Sequence, residues 1–338
     1  MGRKTRQNSI TSPELLAQVN PENTALASDF IDYLKSTKKS QTTIAVYKND
    51  LEIAFVWGLK FNNNKQFTDW TKREIVRFQN WLINDNGNGS ARVRRIKATL
   101  SSMSNYIENI LDDDYPNFRN IINKIENPVA QTVREKTVLT DEQVETALRL
   151  LVERKDYDKA CMLALAACSG RRKAELVRFC VDDFKDENLV CDGALYKTSE
   201  PMKTKGRGEG KFIYCYTLAK KFKPYFDMWM EERKRRGIES EWLFPLSGDM
   251  TKQMDSDTLN SWARTIGSLI NVDYYWHAMR HMFVTNLVRA GLPDGVIQEI
   301  VGWTSADMVR IYTDMDSEEQ IGMWFKDGDI CADKKKTL

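Results

Sequence analysis

The chain has 338 residues, which is too long for one ordinary hydrophobic core and about right for two domains. Its formal net charge is only +2, so the overall charge gives little evidence for a nucleic-acid partner. No uninterrupted apolar run is long enough to span a bilayer, and the basic start MGRKTRQNS is not followed by an apolar block. We therefore expect no membrane-spanning segment, no export signal and a cytoplasmic location.

The cysteines give no sign of a metal site or of a disulfide framework. None forms a CxxC pair, and their spacings match no zinc template. The six positions are Cys161, Cys168, Cys180, Cys191, Cys215 and Cys331. We expect reduced thiols, with Cys161 and Cys168 on one helix face in a core.

Basic residues are clustered in two parts of the chain. Residues 1–127 carry 18 Lys+Arg against 14 Asp+Glu. Within them, four basic residues lie in six positions: Arg92, Arg94, Arg95 and Lys97. A second cluster at 200–223 has seven Lys+Arg against two Glu. Any one cluster is most simply a solvated face, but clusters on two domains favour a phosphate-binding surface.

The first half of the chain is patterned as helices. After a flexible basic arm at 1–24, apolar residues recur at helical spacing over 25–34 and 43–59. Thr71 and Glu74 form a capping box that starts a third helix, and NDNGNGS at 84–90 is a turn. A further helix, with its arginines near its start, has one apolar face made by Val93, Ile96, Leu100, Met103, Tyr106 and Ile107. The pattern predicts a small helical domain over 25–127.

A linker at 128–136 precedes a second predicted domain over 137–326. Thr140 and Gln143 form a capping box, and helices continue to about residue 180. Segment 189–218 is rich in β-branched and aromatic residues on both sides of GRGEG, which predicts an antiparallel hairpin. The chain is again helical to about 325, and 327–338 are expected to be a disordered tail. The fold class is therefore mainly α with a small antiparallel β-sheet.

The two histidines of the chain are four residues apart in HAMRH, residues 277–281. A metal-binding pair of the HExxH type is disfavoured, because Ala278 replaces the glutamate base and no third ligand can be named. Either histidine could instead be a buried structural residue. In a third interpretation, Arg280 shares a helix face with His277, so that a neutral acceptor and a guanidinium point at one spot. That pairing suits an anionic substrate that exchanges protons, such as a phosphodiester.

Two further motifs have ordinary explanations when each is taken alone. VGWTSADMVRIYTD contains Trp303 and, nine residues later, Tyr312 on an expected helix, where a half-buried tyrosine is the simplest interpretation. ACSGRRKAELVRF contains Arg171 and Arg172 between a Ser-Gly turn and a helix start, which indicates a basic helix N-terminus.

Taken together, five motifs in order resemble the tyrosine recombinase (phage integrase) family. They are Gly-x-Arg-x-Ala-Glu-Leu at 170–176, a lysine on the hairpin, His-x-x-Arg-His at 277–281, Gly-Trp at 302–303 and Ile-Tyr-Thr at 311–313. The spacings, 26 residues from His277 to Trp303 and nine from Trp303 to Tyr312, are typical of that family. The likeness covers about 137–325 and implies an α+β catalytic domain. The first domain is similar, more weakly, to the family's helical core-binding (SAM-like) domain.

The resemblance implies catalytic roles for Arg172, Lys205, His277, Arg280, Trp303 and Tyr312. Tyr312 matches the nucleophile. Trp303 stands where many members have a second histidine, so that an indole N–H donor and the packing of the indole would replace an imidazole. Arg171 takes a slot that is usually apolar. Glu175 is expected to orient Arg172 or to cap its helix, and His281 is expected to be a supporting core residue.

The hairpin lysine is the weakest of these transfers. Lys203 and Lys205 both lie near the end of the first strand. We prefer Lys205, because Lys-Gly before a turn fits the family better. The two are expected to face opposite sides of the strand, so that only one reaches the site.

The implied reaction is cleavage of a DNA strand by tyrosine, which leaves a 3′-phosphotyrosyl link and a free 5′-hydroxyl. The 5′-hydroxyl of another strand then attacks the link, so no ATP is required. The two arginines would bind the non-bridging oxygens, His277 would accept the tyrosine proton or orient the phosphate, and Lys205 would protonate the departing oxygen. Because the arginines do the work of metal ions, we expect no cofactor and activity in EDTA.

The implied partners are a double-stranded DNA site and further copies of the chain, as a dimer on one site and a tetramer in synapsis. An accessory directionality or bending factor is an open alternative. The expected phosphate contacts are Arg92, Arg94, Arg95, Lys203, Arg207 and Lys211. The apolar segment 317–326 would pack on its own domain or dock as a helix on a neighbouring protomer. The resemblance implies a bacterial cytoplasm, close to the nucleoid. Two alternative functions remain: type IB topoisomerase-like relaxation and a catalytically silent DNA-binding regulator.

Overall fold

The computed structural model describes residues 10–129, 139–204, 211–303, 305, 307–312, 325–326 and 329–330. These residues form two compact units, one before residue 130 and one from residue 139 onward. Residues 130–136 of the predicted linker lie outside the described ranges. No helix within those ranges is both long enough and apolar enough to cross a membrane.

The first unit is a small helical bundle with an aromatic core. Its helices are α1 Pro13–Leu16, α2 Pro21–Ser36, α3 Gln41–Phe61, α4 Lys72–Asn84 and α5 Ser90–Ile110. Trp57 of α3 lies at the centre, with its ring centroid 5.4 Å from that of Trp70 and 5.1 Å from that of Phe78. The predicted capping box of Thr71 and Glu74 is confirmed at the start of α4. The predicted apolar face of α5 is buried, and its arginines lie in the first two turns.

The prediction that residues 1–24 form a flexible arm is wrong for residues 10–24. Ile10 and Val19 are buried in the same core as α2 and α3, and Asn20 donates two hydrogen bonds to Asn64, one from its backbone N–H and one from its side-chain amide. The physical reason is local. Ser12 and Asn20 are N-caps, each followed by a proline at the first helical position, so helices start before the apolar periodicity becomes visible. Residues 1–9 lie outside the described part.

The second unit packs helices around a buried central helix. Its helices are α6 Asp141–Glu153, α7 Tyr157–Ser169, α8 Lys173–Leu176, α9 Ala219–Arg235, α10 Thr258–Ile270, α11 Trp276–Arg289, α12 Asp294–Val301 and α13 Asp307–Tyr312. Helix α7 packs against α6, α9 and α11. Cys161 and Cys168 both lie buried on α7, as predicted, and burial raises the pKa of Cys168 to about 12. The capping box of Thr140 and Gln143 is confirmed at α6.

Short antiparallel strands complete the second unit. They are β1 Leu189–Val190, β2 Leu195–Lys197, β3 Met202–Thr204, β4 Lys211–Ile213, β5 Tyr216–Leu218, β6 Pro245–Leu246, β7 Asp249–Gln253, β8 Phe325–Lys326 and β9 Asp329–Ile330. Strands β1, β2 and β5 form one sheet, and β3 pairs with β4 in the predicted hairpin, whose turn at 205–210 lies outside the described residues. The fold class, mainly α with small antiparallel sheets, is confirmed.

Strand β9 contradicts the predicted disorder of 327–338 at two positions. Asp329 and Ile330 pair with Lys326 and Phe325 through antiparallel backbone contacts. The sequence pattern did not predict this pairing, because a two-residue strand is too short to show an alternation of apolar and polar residues. The same pairing makes 325–326 a strand, where we expected the end of a helical segment.

Gly170 ends helix α7 and aims the chain toward the predicted arginine motif. Its φ of 59° is in the left-handed region, which favours glycine. A Cβ at this position would lie 2.8 Å from Phe283 Cγ, so the backbone approaches α11 closely. The tight turn therefore depends on the missing side chain in two ways, through conformation and through packing.

We expect Gly170→Ala to destabilise the second unit more than Gly237→Ala does. Gly237 also has a positive φ, 65°, but no atom lies within 4 Å of its would-be Cβ. The control should therefore lose only the conformational part, about 1–2 kcal/mol, whereas Gly170→Ala should lose about 1–3 kcal/mol more through overpacking. Urea unfolding of the two full-length variants measures the difference. Equal losses would show that contact with Phe283 does not constrain the turn.

Candidate active site

Arg280 lies at the centre of the candidate site. Its side chain is fully buried on α11. Nη1 donates to the carbonyl oxygen of Gly170 at 2.9 Å, and Nη2 donates to that of Val301 at 3.2 Å. The guanidinium carbon lies 5.2 Å from the ring centroid of Trp303. Arg280 thus joins the end of α7, the end of α12 and the predicted Trp303 position in one arrangement.

Arg172 is the more accessible of the two predicted arginines. Its side chain is 32% exposed, and its Nη1 donates to Glu175 Oε1 at 3.0 Å. The other carboxylate oxygen of Glu175 accepts from the Arg172 backbone N–H at 3.1 Å. Glu175 therefore both orients the guanidinium and caps α8, which are the two alternatives expected from the sequence. The Arg172 guanidinium is therefore more accessible from solvent than that of Arg280.

His277 lies in the first turn of α11, beside a fixed neighbour. The indole N–H of buried Trp276 donates to Leu259 O at 2.6 Å, which anchors this turn. Burial, followed by the charges of His281, Arg280 and Arg172, lowers the pKa of His277 to about 4 against the opposing effect of Glu175. His277 is therefore neutral at pH 7 and retains an acceptor nitrogen.

His281 packs directly on His277. The two rings are nearly perpendicular, with centroids 5.3 Å apart. Both side chains are only partly buried. The expectation that His281 is a core residue is therefore wrong, whereas its supporting role beside His277 stays a prediction.

Trp303 is buried immediately after the turn that ends α12. Gly302 caps that helix with a φ of 73°, and the Trp303 backbone N–H donates to Gln298 O at 3.0 Å. Burial of the indole beside Arg280 agrees with the predicted packing role. Its N–H donation to a phosphate stays a prediction.

Tyr312 is the last residue of α13, and its side chain lies outside the described part of the structure. Helix α13 packs on α11 and α12. Val309 of α13 is buried in one cluster with Phe283, Val301 and Trp303. The helix that carries the predicted nucleophile is thus built on the two helices that carry Arg280 and precede Trp303.

The hairpin places one of the two candidate lysines. Lys203 is exposed on β3, and its carbonyl oxygen accepts from Arg178 Nη1. Lys205 and Arg207 lie outside the described residues, and Lys211 is exposed on β4. The expectation that Lys203 and Lys205 face opposite sides is wrong for a regular strand, because residues two apart lie on the same face. Strand alternation therefore does not decide between them.

The basic cluster of the first unit divides into different environments. Fully buried Asp50 accepts from Arg95 Nε at 3.1 Å and Nη2 at 2.8 Å, and lies 3.9 Å from Arg92 Nη2. Arg94 is exposed. Lys97 is buried and donates to Gln79 Oε1 and to the carbonyl oxygens of residues 125 and 126. Of the four, Arg94 faces solvent most directly. Lys97 instead connects α5 to α4 and to the last residues of the first unit.

Sequence reasoning missed two members of these networks. Asp50 is 45 residues from Arg95, so no short-range sequence pattern predicts their ion pair. Lys97 lies four residues after Val93 and three before Leu100, so its place on the apolar face of α5 was a readable signal of burial.

Within the described ranges, no three His, Cys, Asp or Glu side chains form a group that could hold a metal ion.

Both units match families of known proteins. The family described as "Phage integrase family" matches residues 137–319, and "Phage integrase, N-terminal SAM-like domain" matches residues 26–117. The SPbeta prophage-derived recombinase-like protein YomM of Bacillus subtilis is 31% identical over 76% of this chain and 76% of its own length.

Solved structures share the fold at low sequence identity. A lambda integrase dimer bound to a COC′ core site has a TM-score of 0.63 at 16% identity, covering 90% of this chain and 81% of that one. A lambda integrase tetramer bound to a Holliday junction has a TM-score of 0.61 at 15% identity, covering 86% and 77%. With both units matched by family descriptions and a full set of motifs in register, the chain belongs to the phage integrase family and is a DNA strand-transferring enzyme of the tyrosine recombinase type.

Proposed function

We propose that the protein is a site-specific DNA recombinase that integrates or excises a mobile element through a covalent 3′-phosphotyrosyl intermediate. The proposal rests chiefly on the two hydrogen bonds that buried Arg280 donates to the carbonyl oxygens of Gly170 and Val301. These bonds connect the turn of Arg172 and the turn of Trp303 to the helix that carries His277. The helix that carries Tyr312 packs in the same cluster as Trp303. The prophage-derived relative supports the mobile-element role.

The proposed cleavage needs no cofactor, because the bonds and protons that it exchanges all belong to the DNA and to the side chains of the protein. The Tyr312 oxygen bonds to phosphorus as the bond from phosphorus to the 5′-oxygen breaks. The phenolic proton passes to His277, and the 5′-oxygen takes a proton from Lys205. A 5′-hydroxyl from a second strand reverses these steps, so the bond energy is conserved in the covalent link.

The arginines address the main electrostatic cost of this reaction. The phosphodiester is already anionic, its transition state is more so, and a phenol of pKa about 10 is a weak nucleophile at neutral pH. Arg172 can offer a guanidinium edge to a non-bridging oxygen while Glu175 holds it in place. Arg280 adds a fixed positive charge in a region without solvent, where such a charge acts more strongly.

The partners follow from the same proposal. The substrate is a double-stranded DNA site, and assembly runs from a dimer on one site to a tetramer, as in the lambda integrase structures. Arg94, Lys203 and Lys211 are exposed and suited to phosphate contact. Arg92 and Arg95 keep partial exposure beside Asp50 and can contribute one edge each. An accessory bending or directionality factor and a bacterial cytoplasmic setting complete the proposal.

We expect Tyr312→Phe to abolish covalent trapping on a nicked suicide DNA substrate while DNA binding is retained. The phenylalanine lacks the attacking oxygen but keeps the ring. Tyr214→Phe is the matched control, because Tyr214 is an exposed tyrosine of the same unit, and it should form the adduct like wild type. An adduct that survives Tyr312→Phe would defeat the assignment. A two-site exchange assay run beside plasmid relaxation then separates recombination from topoisomerase activity.

We expect Arg172→Lys to slow single-turnover cleavage by about 100- to 1,000-fold. Lysine keeps the charge but cannot hold Glu175 and a phosphate oxygen with one planar fork. Arg149→Lys is the control, since Arg149 is 61% exposed in an ion pair with Glu153 on α6. All reactions are run in EDTA. A rate close to wild type would show that the guanidinium geometry of Arg172 is not required.

We expect His277 to remain neutral well below the usual histidine range. The imidazole NMR signal of His277, assigned by its loss in His277→Gln, should still report the neutral form at pH 5.5 and titrate near pH 4. Because the folded pKa lies below the unfolded value of about 6.5, the unfolded chain binds more protons between these values. Stability should then fall as pH drops from about 6.5 toward 4, and less so in His277→Gln. A midpoint near 6.5 would contradict the buried electrostatic environment.

A further inference from the structure

Arg171, the neighbour of the proposed catalytic Arg172, is one of the most deeply buried charged residues of the chain. Its side chain has no exposed surface. It takes a slot that the family resemblance leads us to expect to be apolar. Its Nη2 donates to the carbonyl oxygen of Ile300. A leucine could fill this space, but it could not make that hydrogen bond.

Arg171 and Arg280 both donate to the C-terminal end of α12. Arg171 donates a hydrogen bond to the carbonyl oxygen of Ile300, and Arg280 donates one to that of Val301. These are the last residues of α12, where carbonyl groups lack partners within the helix and the helix dipole is negative. Two guanidiniums from different elements therefore fix the position from which the chain turns into Gly302 and Trp303.

The hairpin meets the same point. A Cβ added at Gly302 would overlap Ile213 Cδ1 of β4 and would lie 3.6 Å from Arg171 Nη1. Arg171 therefore lies where three elements come together: the turn that carries Arg172, the hairpin that leads to Lys205, and the turn that carries Trp303. Each of these elements holds a residue of the proposed catalytic set.

We propose that Arg171 is a positioning residue for strand cleavage. Through Ile300 it fixes the Trp303 turn, and with it the packing of α13, relative to Arg172. It acts through these neighbours and does not contact DNA, because it is buried. The inference rests on the proposed function for the reaction that is measured.

The energetics argue against a purely structural role. Within the described residues, Nε and Nη1 of Arg171 have no hydrogen-bond partner. A buried charge with incomplete hydrogen bonding is costly, and well-packed apolar replacements of such groups are often neutral or stabilising. A requirement for stability alone would favour leucine at this position. A requirement for geometry at the site favours arginine.

The test compares Arg171→Leu and Arg171→Lys in the full chain. Three quantities are measured for each: the rate constant for single-turnover cleavage of a nicked suicide DNA, the Kd for the intact site, and the thermal midpoint. We expect leucine to slow cleavage by about 10- to 100-fold with Kd within about twofold of wild type. Lysine should recover much of the rate, because its ammonium can donate to Ile300 O.

Arg233 supplies matched control variants. It is also a buried arginine of the second unit, and it donates to the carbonyl oxygens of Ser240, Trp242 and Leu243, away from the site elements. Arg233→Leu and Arg233→Lys should lower the thermal midpoint and leave the cleavage rate per folded molecule unchanged. If Arg171→Leu folds poorly, the lysine variant and rates per folded molecule still decide the matter.

Several outcomes would overturn the proposal. They are a wild-type rate for Arg171→Leu, a loss explained by the unfolded fraction, and a lysine variant no faster than the leucine variant. Failure of the proposed function looks different, because wild type itself would then form no Tyr312-dependent adduct.

Discussion

Arg280 donates from a fully buried guanidinium to the carbonyl oxygens of Gly170 and Val301, and so ties together the C-terminal ends of α7 and α12. Both carbonyls belong to helix ends whose backbone acceptors need partners, and both helix dipoles place negative potential there. Removing the side chain would leave two buried acceptors unpaired, at about 1–3 kcal/mol each. The residue that supplies positive charge to the site therefore also supports the core beneath it.

Because of this dual role, the geometry of the site depends on how the helices beneath it pack. Gly170 can approach α11 only because it lacks a Cβ, and that approach brings its carbonyl to Arg280. The next two residues then diverge: Arg171 points into the core toward Ile300, whereas Arg172 stays partly exposed and is held by Glu175. One short turn thus places one guanidinium inside the core and leaves the other accessible from solvent. The carbonyls that receive Arg171 and Arg280 come from consecutive residues of α12, which makes the two contacts interdependent.

Local signals in the sequence were sufficient for much of the fold. Both capping boxes and the apolar face of α5 depend on residues within a few positions of one another, and the structure confirms them. Arg172, His277 and Arg280 were singled out by the resemblance of short motifs to those of the family, and the turn and the helix that present them are also local. What the sequence could not supply were pairings across long separations. Asp50 meets Arg95 across 45 residues, and Arg171 meets Ile300 across 129. Such contacts depend on helix packing, and no periodicity encodes them.

The charge balance of the site links DNA binding to the proposed proton transfer. Burial, followed by the charges of His281, Arg280 and Arg172, lowers the pKa of His277 to about 4 against the opposing effect of Glu175. Passing a proton from a phenol of pKa about 10 to such an imidazole is unfavourable, because the pKa of the acceptor lies well below that of the donor. In the proposed complex, a bound phosphodiester would add a negative charge beside the same groups, which would raise the pKa of His277 and stabilise the charged guanidiniums. In the proposed reaction, the substrate would thereby narrow the difference in pKa between the phenol and the imidazole, so that His277 would accept the proton only with a phosphate bound.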